Sequence, residues 1–290
     1  MAQEKQWKLS IMMVFAMITW GLSWTNAKIL GTYADAPLIM FWRFVFASIC
    51  FFFIARAKGS LKIHSKAIPI IIINSIFMVL YNFFYFKGTQ IGLAGTGGVL
   101  VTTLNPILTS IFSSLFKYDT LPRKDWAGLC IGLLAGSIIL RIWDLNFFSF
   151  YNSGNLFFIM ASLSWVAVTI TTSKSKEKIS FLSYTFWTFL FSTFISMSFV
   201  SYNSLFSIIA FDSIFWVNLI ILSIFAMAFG TSIYFYASTK LGPKKASSYI
   251  FLVPFTAILF SMYFLGEPLQ FSTFIGGGLG VLSVYLINIK

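Results

Sequence analysis

Apolar residues fall along this chain in long blocks separated by short polar connections. A helix needs about 20 mostly apolar residues to cross ~30 Å of hydrocarbon. Measured against that length, the blocks predict ten spans: 9–27, 36–56, 67–86, 91–116, 126–142, 154–173, 180–201, 213–238, 245–265 and 271–289, the fifth of them short. The longest connections are about ten residues, so no linker or soluble domain interrupts the series. The expected fold is an all-α integral membrane protein of ten transmembrane helices forming one membrane domain. The first block follows Lys5 and Lys8, and Ala34-Asp35-Ala36 imitates a cleavage site. It is longer than a secretory h-region, carries Trp20 and Trp24, and precedes nine further blocks, so it reads as a first span.

The basic residues orient the spans. With an even number of crossings both termini share one side, and placing them in the cytoplasm puts Lys5, Lys8, Lys290 and the clusters at 56–66, 117–124, 174–178 and 240–245 there as well. The opposite side then carries only Lys28, Lys87 and Arg141. That is the positive-inside bias, and gaining or losing one span would destroy it. The expected location is a cytoplasmic (inner) membrane, multi-pass, with both termini in the cytoplasm.

Composition agrees with this picture. Only 10% of residues are charged and 58% are hydrophobic, whereas a soluble domain carries roughly 25% charged residues. The net charge of +12 would suggest nucleic-acid binding in a soluble chain, but here the positive-inside bias accounts for it, and no nucleic-acid partner is expected. Cys50 and Cys130 lie inside apolar blocks without metal-ligand spacing, so neither a disulfide framework nor a cofactor or metal is implied.

The two halves echo each other. Trp20 matches Trp165, and Phe41-Trp42-x-Phe44 matches Phe186-Trp187-x-Phe189, both 145 residues on. Further along the offset is 148: Leu104-x-Pro106 matches Leu252-x-Pro254, Phe112-Ser113 matches Phe260-Ser261, Asp119-x-Leu121 matches Glu267-x-Leu269, and Gly128 and Gly132 match Gly276 and Gly280. Five spans per half is an odd number, so the second half enters the membrane from the opposite side. The order of matches predicts two inverted five-helix repeats, 1–146 and 150–290. Chance coincidence in a low-complexity apolar chain is the competing explanation.

At these residues the sequence resembles the drug/metabolite transporter superfamily in its bacterial EamA-type branch. The similarity is densest from Ala237 to Tyr285, with Leu241-Gly242, Ala246-Ser247, Leu252-x-Pro254, Leu265-Gly266-Glu267 and Gly276-x-x-x-Gly280. The first half keeps the same order with Trp20-Gly21, Arg43, Gly92, Leu104-x-Pro106 and Gly128-x-x-x-Gly132. Asp119, where the family more often has Glu, and Gly97-Gly98, where small alanines and serines are commoner, are departures. The resemblance implies a secondary transporter: a ten-span basket with a central cavity lined by spans 1, 3, 4, 6, 8 and 9 and opened alternately to each side.

Candidate cavity residues follow from polar stripes, which in lipid must face protein or a water-filled space. Thr102, Asn105, Thr109 and Ser113 share a face of span 4; Thr231, Tyr234 and Ser238 share one on span 8; Asn74, Tyr81 and Tyr85 share one on span 3, with Asn82 adjacent. Trp20/Trp24 and Trp165/Thr169 are four apart and stack on one side of their spans. The proposed lining is therefore Trp20, Trp24, Asn74, Tyr81, Asn82, Thr102, Asn105, Trp165, Thr169, Thr231 and Tyr234. The alternative for each is an interhelical hydrogen bond, worth about 0.6–2 kcal/mol; the equally hydroxyl-rich span 7 (Ser183, Thr185, Thr188, Ser192) illustrates it. Pro106 and Pro254 lie at mid-span and free the carbonyls four residues earlier, either as hinges or as static kinks. Gly128, Gly132 and Gly136 with Gly276 and Gly280 have the spacing of close helix contacts; they read as structural, with a homodimer through spans 5 and 10 as a further use. Gly92, Gly95, Gly97 and Gly98 lack the strand and lysine of a phosphate loop.

Arg43 is the one charge well inside a span, about seven residues into span 2. It either snorkels to the outer interface or serves as a gate or as a counter-charge to a substrate carboxylate. The acidic residues all fall in tails, loops or helix ends, and His64 lies in a cytoplasmic loop. The usual buried relay of a proton-coupled carrier is missing, which points to a facilitator or exchanger. Transport of a small metabolite leads, with export of amino acids or related compounds first and uptake or exchange of a host metabolite such as S-adenosylmethionine second. A channel is the other reading. An intramembrane enzyme would need a Ser/His pair, metal-binding histidines or paired carboxylates within the membrane, and these are absent from the spans.

Overall fold

The computed structural model describes residues 2–115, 125–144, 152–176 and 178–288. Lys117, Asp119, Leu121, Arg123, Lys124, Glu177 and Lys290 lie outside the described residues. Every regular element among those described is helical: α1 (Ala2–Leu30), α2 (Ala36–Ala57), α3 (Ile68–Ile91), α4 (Ala94–Leu115), α5 (Asp125–Leu140), α6 (Asn155–Ser175), α7 (Phe181–Met197), α8 (Ser213–Leu241), α9 (Pro243–Leu265) and α10 (Phe271–Asn288). Seven are long and apolar enough to cross a bilayer, namely α1 (from Trp7), α2, α3, α4, α6, α8 and α9. The expected seventh span, 180–201, is not continuous: α7 stops at Met197, and the short segment Tyr202–Ala210 is bent from it by 116°. The apolar stretches in α5 and α10 are shorter, Cys130–Ile139 and Phe271–Ser283. The chain is a multi-pass membrane protein.

Its burial pattern is what a hydrocarbon solvent demands. Large apolar side chains such as Phe53, Phe194, Leu133 and Leu259 are exposed, while Asn74, Asn82, Asn105, Thr109 and Thr169 are buried. Polar groups that cannot find water must find each other. Two hydroxyls of α7 reach other parts of the chain: Ser183 donates to the Ser60 carbonyl, in the connection after α2, at 2.7 Å and Ser192 to that of Ser75 on α3 at 3.4 Å.

Helix α1 packs on α8 and α9, α6 on α3 and α4, α2 on α7 and α8, α3 on α7, α4 on α9, and α5 on α10. Exchanging the halves (α1 with α6, α2 with α7, and so on) turns each of these pairs into itself or into another of the set. Side chains follow the same exchange. The Trp42 indole donates to the Leu205 carbonyl at 2.9 Å, and the Trp187 indole, 145 residues on, donates to that of Leu61 at 3.0 Å.

Small residues let these helices approach. A Cβ on Gly98 would lie 2.5 Å from that of Ala257, one on Gly276 2.8 Å from the Ala135 carbonyl, and one on Gly280 would run into the Thr103 methyl. The glycines of α5 and α10 thus make close contacts inside this chain, and the homodimer expectation gains nothing from them.

Two prolines that match in sequence differ in conformation. Pro106 sits within the continuous α4. Pro254 instead follows a 3₁₀ turn, Tyr249–Leu252, that interrupts α9, and lies in the first turn of its second α-helical part, Val253–Leu265.

At the far end of α9, Gly266 adopts φ +65°, a conformation that suits glycine, and turns the chain sharply. That turn aims Glu267 at the N-terminus of α4, where its carboxylate accepts from the Ala94 and Gly95 amides at 2.8 and 2.9 Å. Two otherwise unsatisfied helix-end donors and the positive end of the helix dipole meet a negative charge from the other half. Glu267→Ala is expected to lower stability by about 1 kcal/mol and Glu267→Gln, which keeps one acceptor oxygen, by less. Thermal unfolding in detergent tests this; an unchanged midpoint for the alanine variant would show that the carboxylate does not hold α4.

Candidate functional site

The matched tryptophans of the two halves meet at the centre. Trp20 on α1 and Trp165 on α6 are edge to face with centroids 5.0 Å apart. Tyr81 on α3 lies 4.6 Å from Trp165, and Tyr234 on α8 lies 5.2 Å from Trp20 and 5.4 Å from Trp165. A second layer links Trp24 to Tyr85 at 4.6 Å, and the Tyr85 hydroxyl donates to the Ser23 carbonyl at 2.5 Å. Such contacts give the rings fixed geometry.

Beside them is a cavity of about 20 Å³, lined by Trp20, Ser23, Trp24, Arg43, Met78, Tyr81, Asn82, Val101, Thr102, Asn105, Trp165, Met227 and Thr231. A single water needs roughly 10–15 Å³ by this measure, so the rings nearly close the space. A larger groove of about 320 Å³ runs along the flank between α3, α4 and α6, walled by Phe77, Phe112, Leu163, Val166, Ala167 and Ile170, with Thr171 and Lys174. It is open and mostly apolar, whereas a recognition site needs convergent polar groups. The central cavity has them.

Most of the expected lining is present, but three residues stand behind it. Asn74 accepts from the Thr171 hydroxyl at 2.6 Å on the α3–α6 contact. Thr169 and Tyr234 bond each other through their hydroxyls at 2.8 Å, and Thr169 also donates to the Trp165 carbonyl at 2.9 Å. These side chains are occupied in holding helices together. Helix α9 supplies no lining residue, because it packs tightly against α1 and α4; α2 enters in its place through Arg43. Neither Pro106 nor Pro254 borders the cavity.

Arg43 does not snorkel. Only 4% of it is exposed, and its Nη1 donates to Asn82 Oδ1 at 2.8 Å. Its guanidinium carbon lies 5.5 Å from the Tyr85 ring centre and 5.7 Å from that of Phe86, within cation–π range. The ring faces and the Asn82 oxygen hold it inside the bundle.

Ser23, Met78, Val101 and Met227 were not anticipated. Ser23, Met78 and Met227 lie three or four residues from expected lining positions and so share their faces. Val101 adjoins Thr102, and in so apolar a chain nothing distinguished it. A further feature left no sequence signal: α8 is π-helical from Ile221 to Thr231, a geometry frequent at functional sites. Within that stretch the Ala226 carbonyl accepts from the Trp20 indole at 2.9 Å and the Phe225 carbonyl from Thr19 Oγ1 at 3.3 Å.

Two contacts tie the helix ends beyond the cavity. Lys28 Nζ donates to the Gly92 carbonyl at 2.8 Å, at the C-terminal end of α3. The Tyr33 hydroxyl reaches both Asp212 carboxylate oxygens at 2.9 Å. The Phe215 amide, then Tyr33, holds Asp212 below the usual carboxylate range, and Asp212 holds the Tyr33 phenol above its own. The carboxylate's contribution is therefore present above the ordinary carboxylate pKa and is lost as pH falls through the lowered one.

The model of the EamA-like transporter family matches this chain twice, over residues 7–141 and 152–289. The uncharacterized transporter YvbV of Bacillus subtilis (strain 168) is 25% identical, over 100% of this chain and 94% of its own. An uncharacterized transporter of Archaeoglobus fulgidus is 25% identical over 98% of each chain. One solved crystal structure shares the fold with a TM-score of 0.68 at 18% identity, covering 97% of this chain and 96% of the other.

If Tyr234 and Thr169 brace the cavity through their shared bond, Tyr234→Phe and Thr169→Val each cost about 0.5–1.5 kcal/mol, and the double variant costs less than their sum. Unfolding in mixed detergent measures all three; strict additivity would rule the bond out.

Proposed function

The chain belongs to the EamA-like transporter family, within the drug/metabolite transporter superfamily, and from that premise we propose that this membrane transporter is a secondary carrier that moves a small metabolite by alternating access through the central cavity. The observation that carries the reading is the junction of the two halves at a buried site both polar and aromatic, with Trp20 and Trp165 in contact and Thr102, Asn105, Asn82 and Arg43 around them. A cavity of about 20 Å³ cannot hold an amino acid, so the loaded state is wider, with the aromatic rings moved apart.

The proposed architecture is ten spans in two inverted repeats, 1–146 and 150–290. The separate match of the family model to each half and the exchange symmetry of the helix pairs support it. Both termini are assigned to the cytoplasmic side of a bacterial inner membrane on the distribution of Lys and Arg. Export of amino acids or related compounds is the leading transport reaction. A homodimer would have to use surfaces other than the glycine contacts within the chain.

Among the described residues no Asp, Glu or His is buried. A buried relay of that kind is how many carriers couple to protons, so we assign facilitated transport or exchange driven by the solute's own gradient.

Counterflow in proteoliposomes with labelled amino acids, nucleosides and S-adenosylmethionine tests the reading. Saturable accumulation of one compound, abolished by Asn105→Leu or Trp165→Ala in folded protein, is the expected outcome; equilibration without exchange of label would instead indicate a channel. With membrane potential clamped, the transport rate is expected not to follow an imposed pH gradient. A rate that tracks the gradient would contradict the assignment to facilitation or exchange.

A further inference from the structure

Among the described residues Arg43 is a buried cation without a counter-ion. Of its five N–H donors, one is bonded to Asn82 Oδ1, and Nε finds no acceptor there. Tyr85 and Phe86 offer ring faces but no negative charge. The described carboxylates are not buried with it; Glu267, for example, is engaged at the N-terminus of α4. A guanidinium left so in a low-dielectric interior is costly unless something pairs with it.

The hydrogen-bonding balance of the cavity says what that partner is. Its side-chain amide oxygens are already engaged: Asn82 Oδ1 by Arg43, and Asn105 Oδ1 by Ser162 Oγ at 2.7 Å. Among the described residues one charged lining donor is left without an acceptor, Arg43 Nε. An unused donor that carries a positive charge selects a group that only accepts and is negative. A planar carboxylate fits a guanidinium fork in two parallel bonds. A phosphate would bring more charge than the one cationic residue lining the cavity offsets. The surrounding rings present faces to an apolar or flat body.

We propose that Arg43 is the anion-binding residue of the cavity and that the transported solute is a carboxylate, an amino acid or 2-oxo acid with an apolar body, held by its carboxyl group. Asn82 is a positioning residue: its amide nitrogen is anchored to the Met78 carbonyl at 2.8 Å, and its oxygen orients the guanidinium. The inference rests on the carrier reading and narrows it, disfavouring cations and neutral nucleosides.

The test compares counterflow of labelled amino acids and 2-oxo acids with that of their amides, of uridine and of glycerol 3-phosphate, all on the wild-type chain. Acids are expected to accumulate at least about tenfold faster than their amides, uridine or the phosphate, as the loss of a charged hydrogen-bond pair requires. Arg43→Gln should raise the half-saturating concentration by about ten- to a hundredfold, with Arg43→Lys recovering part of it. The wild-type comparison stands even if a variant fails to fold. Amides, uridine or glycerol 3-phosphate carried as well as the acids would overturn the assignment to Arg43 and leave the carrier intact. So would acids carried unchanged by folded Arg43→Gln. Accumulation of no compound by folded wild-type protein would overturn both.

Discussion

Within a bilayer no water stands ready to satisfy a polar group, and everything in this structure follows from that constraint. Side-chain hydroxyls and amides turn inward and bond backbone carbonyls or one another, as Ser75 does with Ile71 and Thr188 and as Asn82 does with Met78. Apolar side chains are left to cover the outside. Because hydrophobic burial cannot drive helices together in lipid, close contact depends on small residues and on these bonds. Gly98 against Ala257 and Gly280 against Thr103 leave no room for a Cβ on either glycine.

The halves are packed symmetrically, yet the site arises where the symmetry fails. Trp20 and Trp165 occupy matched positions, but the Trp20 indole is bonded to a carbonyl of the π-helical stretch, while that of Trp165 reaches no backbone carbonyl among the described residues. Helix α3, the counterpart of α8, is a regular α-helix. The extra residues per turn in α8 fall within the interval over which the repeat offset grows from 145 to 148. Pro106 and Pro254 likewise share a sequence position and not a conformation. The first half brings to the centre a cation, Arg43, whose Nε no described residue of either half neutralises, and the proposed binding rests on that asymmetry.

The cavity and the helix ends are linked through the same elements. Helix α4, which contributes Thr102 and Asn105 to the lining, begins at the two amides held by Glu267 from the other half. Helix α1, which contributes Trp20, Ser23 and Trp24, ends near Lys28 on the α3 carbonyls. Widening the cavity by moving α1 or α4 would pull on these contacts.

Much of this was legible in the order of residues alone. Apolar block lengths announced a multi-pass membrane chain, because they depend on the solvent the helices cross and not on their neighbours. Helical spacing also put Trp20, Trp24, Tyr81, Thr102, Asn105 and Trp165 on candidate faces. What it could not do was say which face meets which. In a chain that is 58% hydrophobic, a polar stripe marks an inward direction, and Asn74 or Thr169 bonded to a neighbouring helix looks the same as Asn105 beside a cavity. The break after Met197, the π-helical turns of α8 and the burial of Arg43 were decided by tertiary packing, since each depends on what the facing helix offers: a carbonyl for an indole, an amide oxygen and two aromatic rings for a guanidinium.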